Sequence, residues 1–394
     1  MRVLIAPDGF GGTLTAGQAA DAMAAGWSRG APQDEVTTLP MSDGGPGFCE
    51  IVHAALGGDL VPVTVEGPLG EPTPAVLLVT GTSDASVAYL ETAQAVGLHL
   101  VPAPRRDPTR TTSFGVGELI GAALAAGASR IVIGLGGSST NDGGAGMLAG
   151  LGLRASVLRS GGGALEAMTA ADLAGLAALR DRLGSVDLVA AVDVDVPLLG
   201  LHGASAGFAA QKGATAEQAQ ALERALGNFA HAVGQTLAPG SFQRNAPGLA
   251  LGEVPDARVL ARLPGAGAAG GLGFGLAALG ARLLPGAEVV ADAIGLDRRA
   301  GDADVLVTGE GTVDWQSLHG KVVSAVASRG LAHGTPVVVV PGQSHLGRRE
   351  WAAAGISAVY PVAERPEQVA ASLADPAGTL EARTERVART WSRR

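Results

Sequence analysis

The chain has 394 residues, enough for two domains of ordinary size. Hydrophobic residues make up 47% and charged residues 16%, which excludes wholesale disorder, and with 3% aromatics the core is left to Ala, Val and Leu. A net charge of −9 without a basic run argues against nucleic acid as a partner; the single cysteine, Cys49, excludes an intrachain disulfide or a cysteine-based zinc site and suits a cytoplasmic protein.

The N-terminal run MRVLIAPDGF reaches Pro7 and Asp8 too early for a signal peptide. Arg2–Ala6 reads as a buried parallel strand, broken by Gly9, Gly11 and Gly12. Thr15 and Gln18 then spell a capping box for a helix whose apolar stripe is Ala16, Ala20, Met23, Ala24 and Trp27. A strand near Glu35–Leu39 follows, and SDGGPGF at Ser42–Phe48 opens another helix. From Val61 to Leu78, Pro62, Pro68, Pro72 and Pro74 punctuate short β-like runs, which marks the entry to a second, less regular domain. Val87–Glu91 reads as a strand, Val116–Ala126 as a helix, and Arg130–Ile133 as a strand running into a glycine loop. Leu188–Val194 is a further strand, and Thr215–Leu237 a long helix with its own capping box at Thr215 and Gln218.

The uncharged stretch Leu263–Ala281 is the best candidate for a membrane span. Its glycines, Pro264 and the closing Arg282 make it a buried or loop segment instead, so no membrane is expected as a partner. The strand–helix rhythm then returns with Asp304–Thr308, a helix at Lys321–Ala327, and strands at Val337–Val340 and Ala358–Tyr360. Arg383–Arg394 reads as a charged, solvated terminal helix. The expected fold class is α/β: a Rossmann-like parallel-sheet domain of residues 1–65 and 286–394, with a less regular α/β domain, residues 66–285, inserted.

The segment GLGGSSTNDGGAGM at Gly134–Met147 concentrates the chemistry. Glycine lets backbone N–H groups approach an anion, and Ser138, Ser139, Thr140, Asn141 and Asp142 add polar side chains between Gly136–Gly137 and the next glycine pair. No lysine follows, so it is not the Walker pattern; it reads as a phosphate or substrate loop. A second run, PGAGAAGGLGFG at Pro264–Gly275, is more apolar, and Gly270 and Gly271 could close over an adenine or pack a helix against the loop. Of the 28 basic residues only Lys212 and Lys321 are lysine, both beside glycine, as suits compact phosphate-facing charges. Acidic residues recur where strands end: Asp8, Asp43, Glu91, Asp193 and Glu310. Glu310 and Asp314, four apart, form a candidate metal pair, and Asp193 and Asp195 share one face of a strand end. His202 and His319 are taken as polar loop residues, and no Ser/His/Asp order points to a hydrolase.

The motifs APDGFGGTLTA, SDGG, DPTRTTSFGVGELI, GLGGSSTNDGGAGM, QKGA, PGAGAAGGLGFG and GEGTVDWQSLHGK resemble, in order, those of the bacterial glycerate kinase family, from Arg2 to about Pro361. The resemblance implies ATP-dependent phosphorylation of D-glycerate with Mg²⁺, mostly to 2-phosphoglycerate, in a cleft between two α/β domains. On that basis Gly136, Gly137 and Ser138 to Asp142 cradle phosphate or substrate, with Glu91, Gly270, Gly271 and Lys321 as further binding residues. Lys212, Asp193, Asp43 and Asp8 form the catalytic set, and Glu310 with Asp314 faces the metal. Self-association is left open. Gly9 and Gly11, Pro46, Val196, Thr312 and the FAAQKGA form at Phe208–Ala214 depart from the family pattern. These departures keep an alternative open, a nucleotide- or hydroxy-acid-binding homologue with little turnover, or a kinase for a related hydroxy acid.

Overall fold

Among the described residues the strands form two large sheets and a two-stranded parallel pair, Thr312–Val313 with Gln343–Ser344. The computed structural model describes residues 1–82, 85–237 and 256–392. The chain divides into two compact units, one of Met1–Asp43, Glu50–Leu56 and Pro285–Arg394, the other of Gly44–Cys49 and Gly57–Leu284.

The first unit holds a wholly parallel five-stranded sheet in the order Ala358–Val359, Val337–Val339, Val305–Thr308, Arg2–Ile5, Glu35–Thr38. Val3, Ile5, Val305, Val307 and Val338 are buried, as continuous apolar strands covered on both faces require. Strand order reverses between Arg2–Ile5 and Val305–Thr308, because the chain leaves toward Glu35–Thr38 and re-enters on the other side. The loops leaving those two central strands carry Asp8 and Glu310. In open α/β sheets such a reversal opens the crevice in which ligands bind.

Both arms of the Thr15–Gln18 capping box are made, and the helix Ala16–Gly30 buries Ala19, Ala20, Met23 and Trp27. Against it packs the terminal helix Pro376–Trp391, close enough that a Cβ on Gly26 would collide with the Glu381 carbonyl oxygen. The solvated terminal helix expected at Arg383–Arg394 is therefore corrected. It starts earlier, and Leu380, Thr384, Val387 and Ala388 form a buried stripe at helical spacing beneath the arginines. Residues 393 and 394 of that expectation lie outside the described residues.

The second unit holds a six-stranded sheet ordered Asp59–Glu66, Pro72–Thr80, Val87–Glu91, Arg130–Gly134, Asp187–Val192, Arg282–Pro285. The first three strands are antiparallel, and Val87–Glu91, Arg130–Gly134 and Asp187–Val192 run parallel. The proline-punctuated stretch from Val61 to Leu78 thus forms one long hairpin rather than a set of short β runs. Pro62 sits on an edge strand, and Pro74 pairs on one side only, because the next strand reaches just Leu78–Thr80. The long helix Ala216–Thr236 keeps the capping box of Thr215 and Gln218, and its Phe229 meets Phe274 edge-on at 5.7 Å. Leu263–Ala281 contains the buried helix Ala268–Ala278, and no helix among the described residues is long and apolar enough to cross a membrane.

Candidate active site

In the second unit the strand Arg130–Gly134 delivers the polar glycine loop. Lys212 ends a short 3-10 turn, Ala210–Lys212, and its side chain is buried against this loop. Its Nζ donates to Ser138 Oγ at 2.9 Å and to the Thr140 carbonyl at 2.7 Å. Burial pulls the ammonium down to about 8, while the charges of Asp193 and Asp142 hold it up. Ser138, Asp193 and Lys212 line one cavity of about 230 Å³ together with Gly137 and Gly270. That is below the roughly 300 Å³ at which drug-sized sites begin, a scale suited to a few-carbon molecule. Phe208 and Gln211 line the same cavity and were not singled out in sequence. Gln211 had a signal available, as the direct neighbour of Lys212 in QKGA.

The rest of the loop is used to hold its own shape. Asp142 is fully buried, with Oδ2 accepting from Ser113 N–H at 2.8 Å, Ser113 Oγ at 2.9 Å and Gly146 N–H at 3.2 Å, and Oδ1 accepting from Gly144 N–H at 3.1 Å. Burial pushes its carboxyl up, against these four bonds, which favour the charged form. Ser139 donates its hydroxyl and its N–H to the Val96 carbonyl. Asn141 donates to Ser205 Oγ at 2.9 Å, and its Oδ1 and the hydroxyl of Thr140 are buried without partners among the described residues. Neither Ser139, Thr140, Asn141 nor Asp142 lines the cavity, whereas Gly137 and Ser138 do. Gly136 rests on the backbone of Gly45, and Glu91 is buried, its Oε2 accepting from Gly47 N–H at 3.1 Å. Glu91 thereby shapes the neighbouring SDGGPG turn. Sequence reasoning missed Ser113 and Ser205, whose partners lie 29 and 64 residues away along the chain.

The second glycine run packs against the first. Inside the helix Ala268–Ala278, Ala269, Gly270 and Gly271 take left-handed conformations with φ of 52°, 70° and 89°. A side chain on Gly270 would collide with the Thr140 carbonyl, and the Gly270 carbonyl accepts from Gly143 N–H at 3.0 Å. Of the two readings offered for this run, the geometry supports packing against the loop, with Gly270 also lining the cavity.

In the first unit, a second group gathers where the central strands end. Asp8 accepts from Gly9 N–H at 2.7 Å, and burial with the nearby Asp43 charge pushes its carboxyl up to about 8, against Gly9 and Lys321. Burial likewise raises Glu310 to about 7, opposed by Ser317 and Lys321, and its Oε1 is buried without a partner among the described residues. Lys321 Nζ donates to Asp43 Oδ2 at 3.2 Å from the residue that opens the helix Val322–His333. Asp314 Oδ1 accepts from Gln316 N–H at 2.8 Å within its own turn, and its charge adds to the upward push on Glu310. Among the described residues no three acidic, histidine or cysteine side chains converge closely enough to enclose a metal ion. The donor set fits the looser arrangement magnesium takes beside phosphates, with one or two carboxylates and the remaining ligands from phosphate and water.

The sequence profile of the glycerate kinase family matches residues 3–392. A glycerate kinase of Bacillus subtilis (strain 168) is 41% identical over 348 residues, covering 87% of this chain and 85% of its own. The glycerate 2-kinase of Escherichia coli (strain K12) is 39% identical over 348 residues, again 87% of this chain and 85% of its own. A crystal structure from Salmonella typhimurium LT2, assigned as a glycerate kinase 2, matches with a TM-score of 0.77 at 38% identity, covering 99% of this chain and 98% of that one. The chain belongs to the glycerate kinase family.

Proposed function

We propose that this protein transfers the γ-phosphoryl group of ATP to a hydroxyl of D-glycerate, with 2-phosphoglycerate as the favoured product. The observation that carries the reading is the Lys212 amine, buried on the polar glycine loop in a small cavity with Asp193, in a chain of this family. The hydroxyl oxygen attacks the γ-phosphorus, the bond to the bridging oxygen breaks, and ADP leaves with that electron pair. Asp193 orients the hydroxyl and takes its proton, and Lys212 offsets the charge on the transferring group. Gly136 to Asp142 cradle phosphate or substrate, with Gly137 and Ser138 facing the cavity and Asp142 bracing the loop. Gly270 and Gly271 support the loop from behind, and Glu91 holds the adjoining turn.

In the same reading Asp8, Asp43 and Lys321 set the charge at the ends of the central strands. Glu310 and Asp314, four residues apart, supply oxygen donors for Mg²⁺. When bound, the ion neutralises phosphate charge during transfer. The unpartnered Glu310 Oε1 supports this assignment. The reading takes residues 66–285 as an insertion in a domain of residues 1–65 and 286–394. It sets the protein in the cytoplasm, on the strength of one buried cysteine.

The test is phosphorus NMR of the product formed from ATP, Mg²⁺ and D-glycerate. A 2-phosphoglycerate resonance is expected. A 3-phosphoglycerate signal refutes the regiochemistry, and absence of either from folded protein refutes the reaction. Binding of ATP without turnover would instead favour the reading suggested by Pro46 and Thr312, that of a homologue with little activity.

A further inference from the structure

The carboxyl edge of the parallel sheet carries a second cavity, of about 130 Å³, which the proposed chemistry leaves unused. Phe10, Gly311 and Val362 enter it from loops that leave strands of this sheet, Gln343 from the two-residue strand Gln343–Ser344 that follows Val337–Val339, and Leu373 and Leu380 close it from the two C-terminal helices. Its walls are tied to one another. Gly342 N–H donates to the Glu310 carbonyl at 3.0 Å, Gln343 N–H to the Gly311 carbonyl at 3.0 Å, and Ala363 N–H to the Gly342 carbonyl at 2.9 Å. The slot is therefore preformed and needs little ordering to accept a ligand.

Size, lining and position narrow what it accepts. Its volume is less than half of the roughly 300 Å³ at which drug-sized sites begin, the scale of a single heterocycle. Phe10, Val362 and Leu380 present an apolar surface suited to a flat ring. Gln343 lines the slot, and its side-chain amide makes no hydrogen bond with a described residue. An amide offers a donor and an acceptor side by side, which pairs with the N6 and N7 edge of adenine. The same edge of guanine offers two acceptors and leaves the amide carbonyl unmatched. Gly311, one wall, directly follows Glu310, and the slot borders the strand-order reversal where nucleotides lie in open α/β sheets.

We propose that this slot is the adenine subsite and that Gln343 selects adenine over guanine, an assignment that rests on the reading of the chain as an ATP-dependent kinase. It is tested by titration calorimetry on the full chain with ADP, GDP and inorganic tripolyphosphate, comparing wild type with Gln343→Leu and Ser372→Phe. Ser372 is a half-exposed slot residue, so its phenylalanine fills the slot from the surface side. Wild type is expected to bind ADP at least about tenfold more tightly than GDP, and Gln343→Leu to lose about tenfold in ADP affinity and most of that preference. Ser372→Phe is expected to weaken ADP and GDP alike. Tripolyphosphate, which has no base, should bind all three proteins equally, which also shows that the variants are folded. Unchanged ADP affinity in both variants, or equal losses of ADP and tripolyphosphate, overturns the assignment. Binding is read without turnover. A wild type that binds ADP in this pattern but phosphorylates no glycerate refutes the proposed reaction and leaves the subsite standing.

Discussion

Replacing Lys212 with methionine removes a buried charge that the folded chain holds at a cost. Burial pulls the amine from its ordinary 10.5 to about 8. Between those values the unfolded chain keeps a proton that the folded chain has released, so stability rises with pH across this window. The contribution is fully present above about pH 10.5 and is lost as pH falls through about 8. Its size is about 3 kcal/mol, from roughly 1.4 kcal/mol per decade. Methionine also strands the Thr140 carbonyl and the Ser138 hydroxyl, at about 1–3 kcal/mol for each group left unsatisfied, but that cost does not change with pH. The stability of wild type minus that of Lys212→Met should therefore climb by about 3 kcal/mol between pH 7.5 and 10.5 in urea denaturation with matched m-values. A difference that stays flat with pH would refute the buried, desolvated amine on which the site reading depends.

The same residue sets the pH dependence of turnover, which should fall above about pH 8 as Lys212 loses its proton; a pH–rate profile still rising through pH 9 contradicts its role as a cation. Gly270→Ala puts a side chain at φ 70° against the Thr140 carbonyl, so it should cost about 1–3 kcal/mol in urea denaturation and reduce kcat by displacing the loop. Gly26→Ala pushes the terminal helix from the Glu381 carbonyl and should cost about 1–3 kcal/mol, with kcat/KM of the remaining folded protein unchanged.

The parts of the fold that were legible in sequence are those governed by neighbours in the chain. Both Thr/Gln capping boxes formed because donor and acceptor sit three residues apart. The strand Arg130–Gly134 and its loop followed from an apolar run ending in glycine. The hairpin of Asp59–Glu66 with Pro72–Thr80 was hidden because proline is tolerated where a strand has an open side, and that is a property of pairing rather than of local sequence. The buried stripe of the terminal helix was masked by its arginines. Within the site, residue types pointed to phosphate chemistry, but what each residue does depends on distant partners. Lys212 meets Ser138 across 74 positions, and Asp142 braces the loop through Ser113 rather than facing the cavity. Only the folded chain separates the residues that line the cavity from those that hold it open.

The central claim is tested most directly by the initial rate of ADP release from ATP and Mg²⁺, measured with and without D-glycerate, for wild type and Lys212→Met. The account predicts glycerate-dependent release by wild type and a loss of at least about a hundredfold in kcat for the variant, the scale of losing one transition-state charge contact. Glycerate-independent release by wild type, or a Lys212→Met enzyme with an unchanged kcat, would contradict it.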